Sequence, residues 1–300
     1  MRIFSIASLL ALAFPLWAAS GSSTFKHLKM SPSPRITGLS QAGSALPSSS
    51  QDASTFPAAA AGVDHSWIMG SQMRLTDKLG ASYNSLQIVE PLGAGLWKLA
   101  LGVDFLRVNP LTQRDEDGFA TGEFGAGSWN GRIGLSRKIG AWHVGSQFAY
   151  THSTIAEYSG QGIMADVQIL VPVRHWLSAS VSILHWGWAD SYDSEEEITP
   201  RTIQSGLAIQ LPAWGAFQSR ILMDLRQEVE SKWEPLYGLE VLYAHLLTLR
   251  VGHQAGEGLR YPSAGLGIRV GSLEASYAYA GAPMESELGG NHQFGLALAF

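Results

Sequence analysis

From residue 65 to Phe300 the chain falls into about fourteen segments of roughly ten residues in which apolar and polar side chains alternate, each set off by turn residues. A two-residue period places successive side chains on opposite faces of a strand, so this stretch cannot be built from amphipathic helices. Trp97, Leu99, Leu101, Val103 and Phe105 share one parity, against Lys98, Ala100, Gly102 and Asp104. Ile163, Ala165, Val167, Ile169 and Val171 oppose Met164, Asp166 and Gln168, and Ile221, Met223 and Leu225 oppose Arg220, Asp224 and Arg226. Leu247, Leu249 and Val251 face away from Thr248 and Arg250, as do Leu266, Ile268 and Val270 from Gly265, Gly267 and Arg269. Charge keeps to one face throughout.

A soluble sandwich also alternates, and two further features separate the cases. Strands bounded by Trp97 and Phe105, and by Trp142 and Tyr150, carry aromatics at both ends of the apolar face. Tilted by about 40°, such a strand rises roughly 20 Å, close to the apolar band of a transmembrane barrel. Trp176 and Trp214 fall on the other parity, leaving this girdle incomplete. Connections also alternate. Short turns are expected at 91–95, 172–175, 212–215, 244–245 and 271–272, and longer loops at 109–122, 187–200, 227–234, 254–261 and 281–290. In an outer-membrane barrel these are the periplasmic and exterior sides. The expected fold is all-β, an antiparallel transmembrane barrel of about fourteen strands over residues 65–300, its C-terminus at the periplasmic rim.

Composition narrows the functions. With 46% hydrophobic and 15% charged residues, a net charge of -5 and pI near 6.0, the chain has no basic footprint for nucleic acid. No cysteine is present, which removes thiol nucleophiles, disulfides and Cys-ligated metals. Arg2 precedes an apolar run ending at Trp17 and then Ala18, Ala19 and Ser20, the pattern of a cleaved secretory leader over residues 1–20. Residues 21–64, rich in Ser, Pro and Ala, read as irregular coil.

The inward-parity charges are Lys98, Asp104, Arg132, Asp166, Arg220 and Asp224, followed by Arg226, Glu240, Arg250, Arg269 and Glu274. Six are basic and five acidic, which suits a wetted lumen with cross-strand ion pairs and argues against a strongly ion-selective pore. No dinucleotide fingerprint, nucleophile elbow or zinc helix occurs. Asp64-His65-Ser66 are strand neighbours that point alternately, and Ser182 and His185, three apart, are expected on opposite faces. No enzyme activity, cofactor or metal is expected. The acidic stretches at 115–117 and 190–197 read as solvated exterior loops.

Several pieces resemble the PorV/PorQ-type outer-membrane proteins, relatives of the FadL transporters. They are residues 25–30 (FKHLKM), 118–124 (GFATGEF), 153–162 (STIAEYSGQG), and the closing 273–280 and 288–292 before the terminal Phe300. The resemblance spans nearly the whole mature chain and implies a fourteen-stranded barrel whose N-terminal segment, residues 21–64, enters or plugs the lumen as a hatch, with its apolar side chains Phe25, Leu28, Met30 and Phe56, and Pro57, as the candidate ligand-binding or hatch residues. Separately, a chain that stops at an aromatic strand end, here Phe300, resembles the membrane-insertion signal of bacterial outer-membrane barrels, which the barrel-assembly machinery would read. One departure stands out: residues 52–62 (DASTFPAAAAG) keep Asp-Ala-Ser and Pro-Ala but lack the Asn of the hatch motif.

The resemblance points first to an integral outer-membrane barrel, in contact with outer-membrane lipid, that handles secreted cargo with type IX-like secretion components. The alternative is a FadL-like transporter of hydrophobic small molecules such as long-chain fatty acids. A passive pore and an outer-membrane phospholipase rank lower.

Overall fold

The computed structural model describes residues 24–47, 51–75, 80–93, 96–114, 117, 119–190, 198–229, 231–256, 259–281 and 290–300. Fourteen strands follow one another: β1 (Trp67–Leu75), β2 (Ala81–Leu92), β3 (Trp97–Arg114), β4 (Ala120–Ile139), β5 (Trp142–Ile155), β6 (Tyr158–Arg174) and β7 (Leu177–Ala189). Then come β8 (Thr202–Gln210), β9 (Phe217–Glu228), β10 (Glu234–Tyr243), β11 (Leu247–Gly256), β12 (Leu259–Val270), β13 (Leu273–Ala280) and β14 (Asn291–Ala299). Each pairs antiparallel with the next, and β1 pairs with β14 from Trp67↔Ala299 to Arg74↔His292, closing the sheet on itself. The expected strand number is the one observed, and one closed sheet excludes a sandwich.

The faces are inverted relative to a soluble protein. Leu101, Phe105, Ile133, Phe148, Ile163, Leu249 and Leu296 are exposed on the outside, whereas Gln87, Asp104, Gln147, Gln168, Asp224, Glu240, Arg250 and Gln293 are buried inside. An apolar outer belt around polar inner positions is stable only when lipid, not water, covers the belt. Exposed tryptophans lie at both ends of it. Trp97, Trp142, Trp176 and Trp214 are near the short turns, and Trp129, Trp186 and Trp188 are toward the other end. Trp176 and Trp214 sit in the turns themselves, so strand parity does not constrain where their indoles point.

The structure corrects several loop boundaries. β3 and β4 continue through Thr112↔Glu123 and Gln113↔Gly122, and β11 and β12 pair out to Gly256↔Leu259. These polar hairpin extensions carry no apolar alternation, but their backbone groups still gain from the ladder. The long-loop end also holds a tight turn between Ile155 and Tyr158, with Ala156 at φ 53°, so connection length alternates less strictly than expected. The leader at residues 1–20 and the acidic positions 115, 116 and 191–197 lie outside the described residues.

A bulge in β7 overturns one parity assignment. Pairing with β6 jumps from Ala165↔Trp186 to Val167↔Ile183, and His185 takes φ 57°. The extra residue turns the His185 imidazole toward inward-facing Asp166, with Nδ1 3.6 Å from the carboxylate, so Ser182 and His185 do not face apart.

Upstream of β1, the stretch read as coil contains short helical turns at Lys26–Lys29 and Pro57–Gly62 and one α-helical turn, α1 (Pro34–Gly38). Local chemistry explains them. Ser33 caps α1 by accepting from the Ile36 N–H, and Pro34 and Pro57 occupy first-turn positions where a missing N–H costs nothing.

Leu101→Lys puts a charge midway between Trp97 and Phe105 on the lipid face and is expected to cost about 2–4 kcal/mol. Thr112→Lys, on the exposed β3 extension, is expected to be neutral. Urea unfolding of the barrel in phospholipid vesicles measures both.

Candidate functional site

The site is the lumen and the segment docked in it. Residues 24–47 and 51–63 have too little regular structure to satisfy their own backbone, and inward side chains of the wall supply the missing partners. Gln168 on β6 joins two distant limbs, accepting from the Ala58 N–H at 2.9 Å and donating to the Ser44 carbonyl at 2.7 Å. Gln293 on β14 donates to the Ser31 carbonyl at 3.1 Å and accepts from the Thr37 hydroxyl at 2.6 Å. Gln87 Nε2 donates to the Gln51 carbonyl at 2.9 Å, and Gln204 Nε2 to the Gln41 carbonyl at 3.1 Å. Ser178 and Ser263 hydroxyls donate to the carbonyls of Ala45 and Gly38. A primary amide both donates and accepts, which suits glutamine to an irregular backbone.

Charge fixes the centre of the segment. Arg35 on α1 donates from Nε and Nη2 to the two Glu240 oxygens, each at 2.8 Å, and from Nη1 to Asp52 at 3.0 Å. Glu240 on β10 also accepts from Arg250 Nε at 2.9 Å and lies 3.4 Å from Arg220 Nη1. Burial pushes the Arg35 pKa down, but the Glu240 and Asp52 carboxylates outweigh it and hold it above the ordinary guanidinium value. Asp224 on β9 accepts from the backbone N–H groups of Gly43 and Ser44 at 3.2 and 3.0 Å, and from Gln204 Nε2 at 2.6 Å.

Between these polar contacts lies an apolar core. Ile36, Leu39, Leu46 and Phe56 pack with Leu184, Ala208, Leu222 and Leu236 from the wall, and Ile36, Leu39 and Leu46 are each 0% exposed. Close approach requires missing side chains. A Cβ on Gly145 would stand 2.4 Å from the Ala58 nitrogen, and one on Gly252 2.3 Å from the Leu39 carbonyl carbon.

Among the candidate residues, Phe56 and Pro57 are buried in the lumen, Pro57 beside Gly145. Phe25 is buried near the long-loop end with its ring against Gly162 and edge-on to His27, while Leu28 and Met30 are half-buried. Thr24 N–H donates to the Ile198 carbonyl at 3.0 Å, and Lys29 pairs with Glu228, so this limb is tied to the rim. Lys98, Asp104, Asp166, Asp224, Arg226, Glu240, Arg250 and Glu274 are buried. Arg132 binds Asp104 at 2.7 Å and Arg226 donates to Gln41 Oε1 at 2.8 Å. Arg220 is partly exposed. Arg269 departs from the lumen-lining expectation: at 55% side-chain exposure it stands at the short-turn mouth, over the Trp67 ring and donating to Glu274, because it lies one residue from the end of β12. Phe300 is exposed, and its N–H donates to the Ser66 carbonyl at 3.0 Å, joining the ends of the sheet.

Arg35, Asp52 and the glutamines did not stand out in the sequence. The glutamines carried a usable signal, since Gln87, Gln147, Gln168, Gln204 and Gln293 all occupy inward parity. Arg35 carried none, because its segment has no period to read.

No family model matches the sequence, and no curated protein matches it. Solved structures do match in fold. The toluene transporter TbuX of Ralstonia pickettii superposes with a TM-score of 0.63 at 10% identity, covering 89% of this chain and 98% of its own. The toluene transporter TodX of Pseudomonas putida gives 0.62 at 11% identity, covering 89% and 96%. A FadL homologue of Pseudomonas aeruginosa gives 0.56 at 9% identity, covering 89% and 98%. At such identities the likeness concerns the fold: this chain shares the barrel architecture of TbuX, TodX and the FadL homologue.

Arg35→Ala leaves Asp52 and part of Glu240 buried without a partner. It is expected to weaken docking of the segment by about 3–5 kcal/mol, read as faster backbone hydrogen exchange over residues 31–58 in a barrel that still resists boiling-dependent gel shift. Arg35→Lys, which cannot make the fork, restores only part.

His27, buried and 3.2 Å from the Thr151 hydroxyl, has its pKa lowered from 6.5 to about 4 by burial, with Asp104 opposing and His185 and Arg132 adding to the shift. A released segment takes up the proton below pH 6.5, whereas the docked one resists until about 4. Docking therefore holds fully above that window and weakens as pH falls through it. Exchange protection of residues 24–30, corrected for intrinsic rate, is expected to fall from pH 6.5 to 4 in the native chain and to stay flat in His27→Gln.

Proposed function

We propose that this chain is an integral outer-membrane transporter of a hydrophobic small molecule, in which residues 21–64 act as a movable hatch. The observation that carries this reading is a closed barrel filled by its own N-terminal segment, built on the architecture of TbuX and TodX. The hatch is fastened to the wall by hydrogen bonds and ion pairs that water can replace, so release needs no covalent change and the reading includes no enzymatic step. In this reading the leader directs export, the barrel-assembly machinery reads the Phe300 end, and Phe25, Leu28, Met30 and Phe56 supply apolar contacts for the solute once the hatch shifts. Fatty acids and monoaromatic hydrocarbons fit that description. The secretion-associated reading draws no support from the comparisons, whose matches in fold are hydrocarbon and FadL-type barrels.

The chain's lack of cysteine permits a clean test. The Ser44 and Ser180 hydroxyl oxygens lie 2.8 Å apart, joining hatch to β7. Ser44→Cys with Ser180→Cys, oxidised, locks that limb to the wall. Cells without their own hydrophobic-solute barrel should take up labelled oleate or toluene when they carry the reduced protein. Uptake should fall at least tenfold on oxidation and return with dithiothreitol. Equal uptake in both redox states removes the movable hatch, and uptake no greater than in empty cells removes the transport reading.

A further inference from the structure

Near its short-turn end the outer surface of the barrel carries a cation, Arg137, that nothing in the lumen explains. Outward positions on β4 near the short-turn end are Ile133, Leu135, Arg137 and Ile139. Arg137 is opposite Trp97 on β3 and Val144 on β5, and its guanidinium carbon lies 5.2 Å from the centroid of the Trp97 ring. Its Nε is buried with no hydrogen-bond partner, and among the described residues no carboxylate pairs with it. A guanidinium over an indole, amid apolar neighbours and without an acceptor among the described residues, is arranged to receive an anion from the membrane side.

The surroundings supply the rest. Arg174 is exposed on the same rim at the end of β6, whereas Lys138, the neighbour of Arg137 on β4, has inward parity opposite buried His143. Trp142 and Trp176 are exposed beside them, at the level where indoles mark the boundary between hydrocarbon and headgroups. On the flanking strands the outward carboxylate is Glu90, level with Leu99 and separated from Arg137 by β3, so the positive potential is concentrated over β4 to β6. Further up the wall, the exposed Ile133, Leu135 and Phe148 form an apolar strip continuous with the Arg137 position.

We propose that this rim is a binding site for an anionic phospholipid, with Arg137 as the principal donor to the phosphodiester, Arg174 as a further cation along the rim, and an acyl chain along the strip. A free phosphate would satisfy the guanidinium but leave the strip uncovered, so the ligand is the intact lipid. The planar fork matches two phosphate oxygens, and contact with the Trp97 ring limits its freedom before binding. The site needs only that the barrel sit in a bilayer and is independent of what passes through the lumen.

The test is native mass spectrometry of the full barrel in detergent, titrated with phosphatidylglycerol or with phosphatidylcholine of the same acyl chains. The native protein should retain phosphatidylglycerol at least fivefold more than phosphatidylcholine. Arg137→Gln should abolish most of that preference, and adding Arg174→Gln should remove the remainder, with phosphatidylcholine retention unchanged. Arg107→Gln, an exposed position toward the other end of β3, should leave the preference intact, and boiling-dependent gel mobility confirms that each variant is folded. Equal retention of the two lipids by the native protein, a preference that survives Arg137→Gln, or displacement of the lipid by equimolar inorganic phosphate overturns the proposal.

Discussion

A peptide group in hydrocarbon has no water to turn to, and the whole architecture follows from that. A sheet with a free edge would leave a row of donors and acceptors facing lipid. Pairing β1 with β14 abolishes the edge, and the Phe300 N–H on the Ser66 carbonyl continues the closure past the last strand residue. Once the sheet is closed, parity is forced. Outward positions must be apolar, and the polar residues that alternate with them are confined to a narrow interior.

That interior then has its own problem, because buried amides and charges are costly unless bonded. The N-terminal segment and the wall solve it for each other. The segment brings irregular backbone with unmet hydrogen bonds, and the wall brings Gln168, Gln293, Gln204, Asp224 and Glu240, which need partners. A filled lumen of this kind is held largely by polar exchange, with a modest apolar core around Ile36, Leu39 and Phe56.

The wall was legible in the sequence because alternation is a direct imprint of a two-sided environment. Strand number, the inward places of Asp104, Asp224 and Glu240, and the outward places of Leu101 and Phe148 all follow from it. Legibility failed where lipid stops acting on the chain. The β3–β4 and β11–β12 extensions lie beyond the apolar band and so look like loops. The docking of residues 24–63 was opaque for a different reason: its contacts join residues such as Arg35 and Glu240, far apart in the chain, and no local period records them. Only the bias toward Ser, Pro and Ala hinted that the segment would fold against something else.

The β7 bulge has a consequence for how this chain can vary. Outward side chains on β7 are odd-numbered up to Ile183 and even-numbered from Trp186, so one inserted residue changes the beat partway along a single strand. Removing His185 would restore a uniform rhythm and leave Trp186 and Trp188 facing the bilayer, at the loss of the imidazole beside Asp166. A single-residue deletion would therefore be tolerated between Ile183 and Trp186 more readily than at a regularly paired position of this strand, where it would reverse the faces of every residue beyond it.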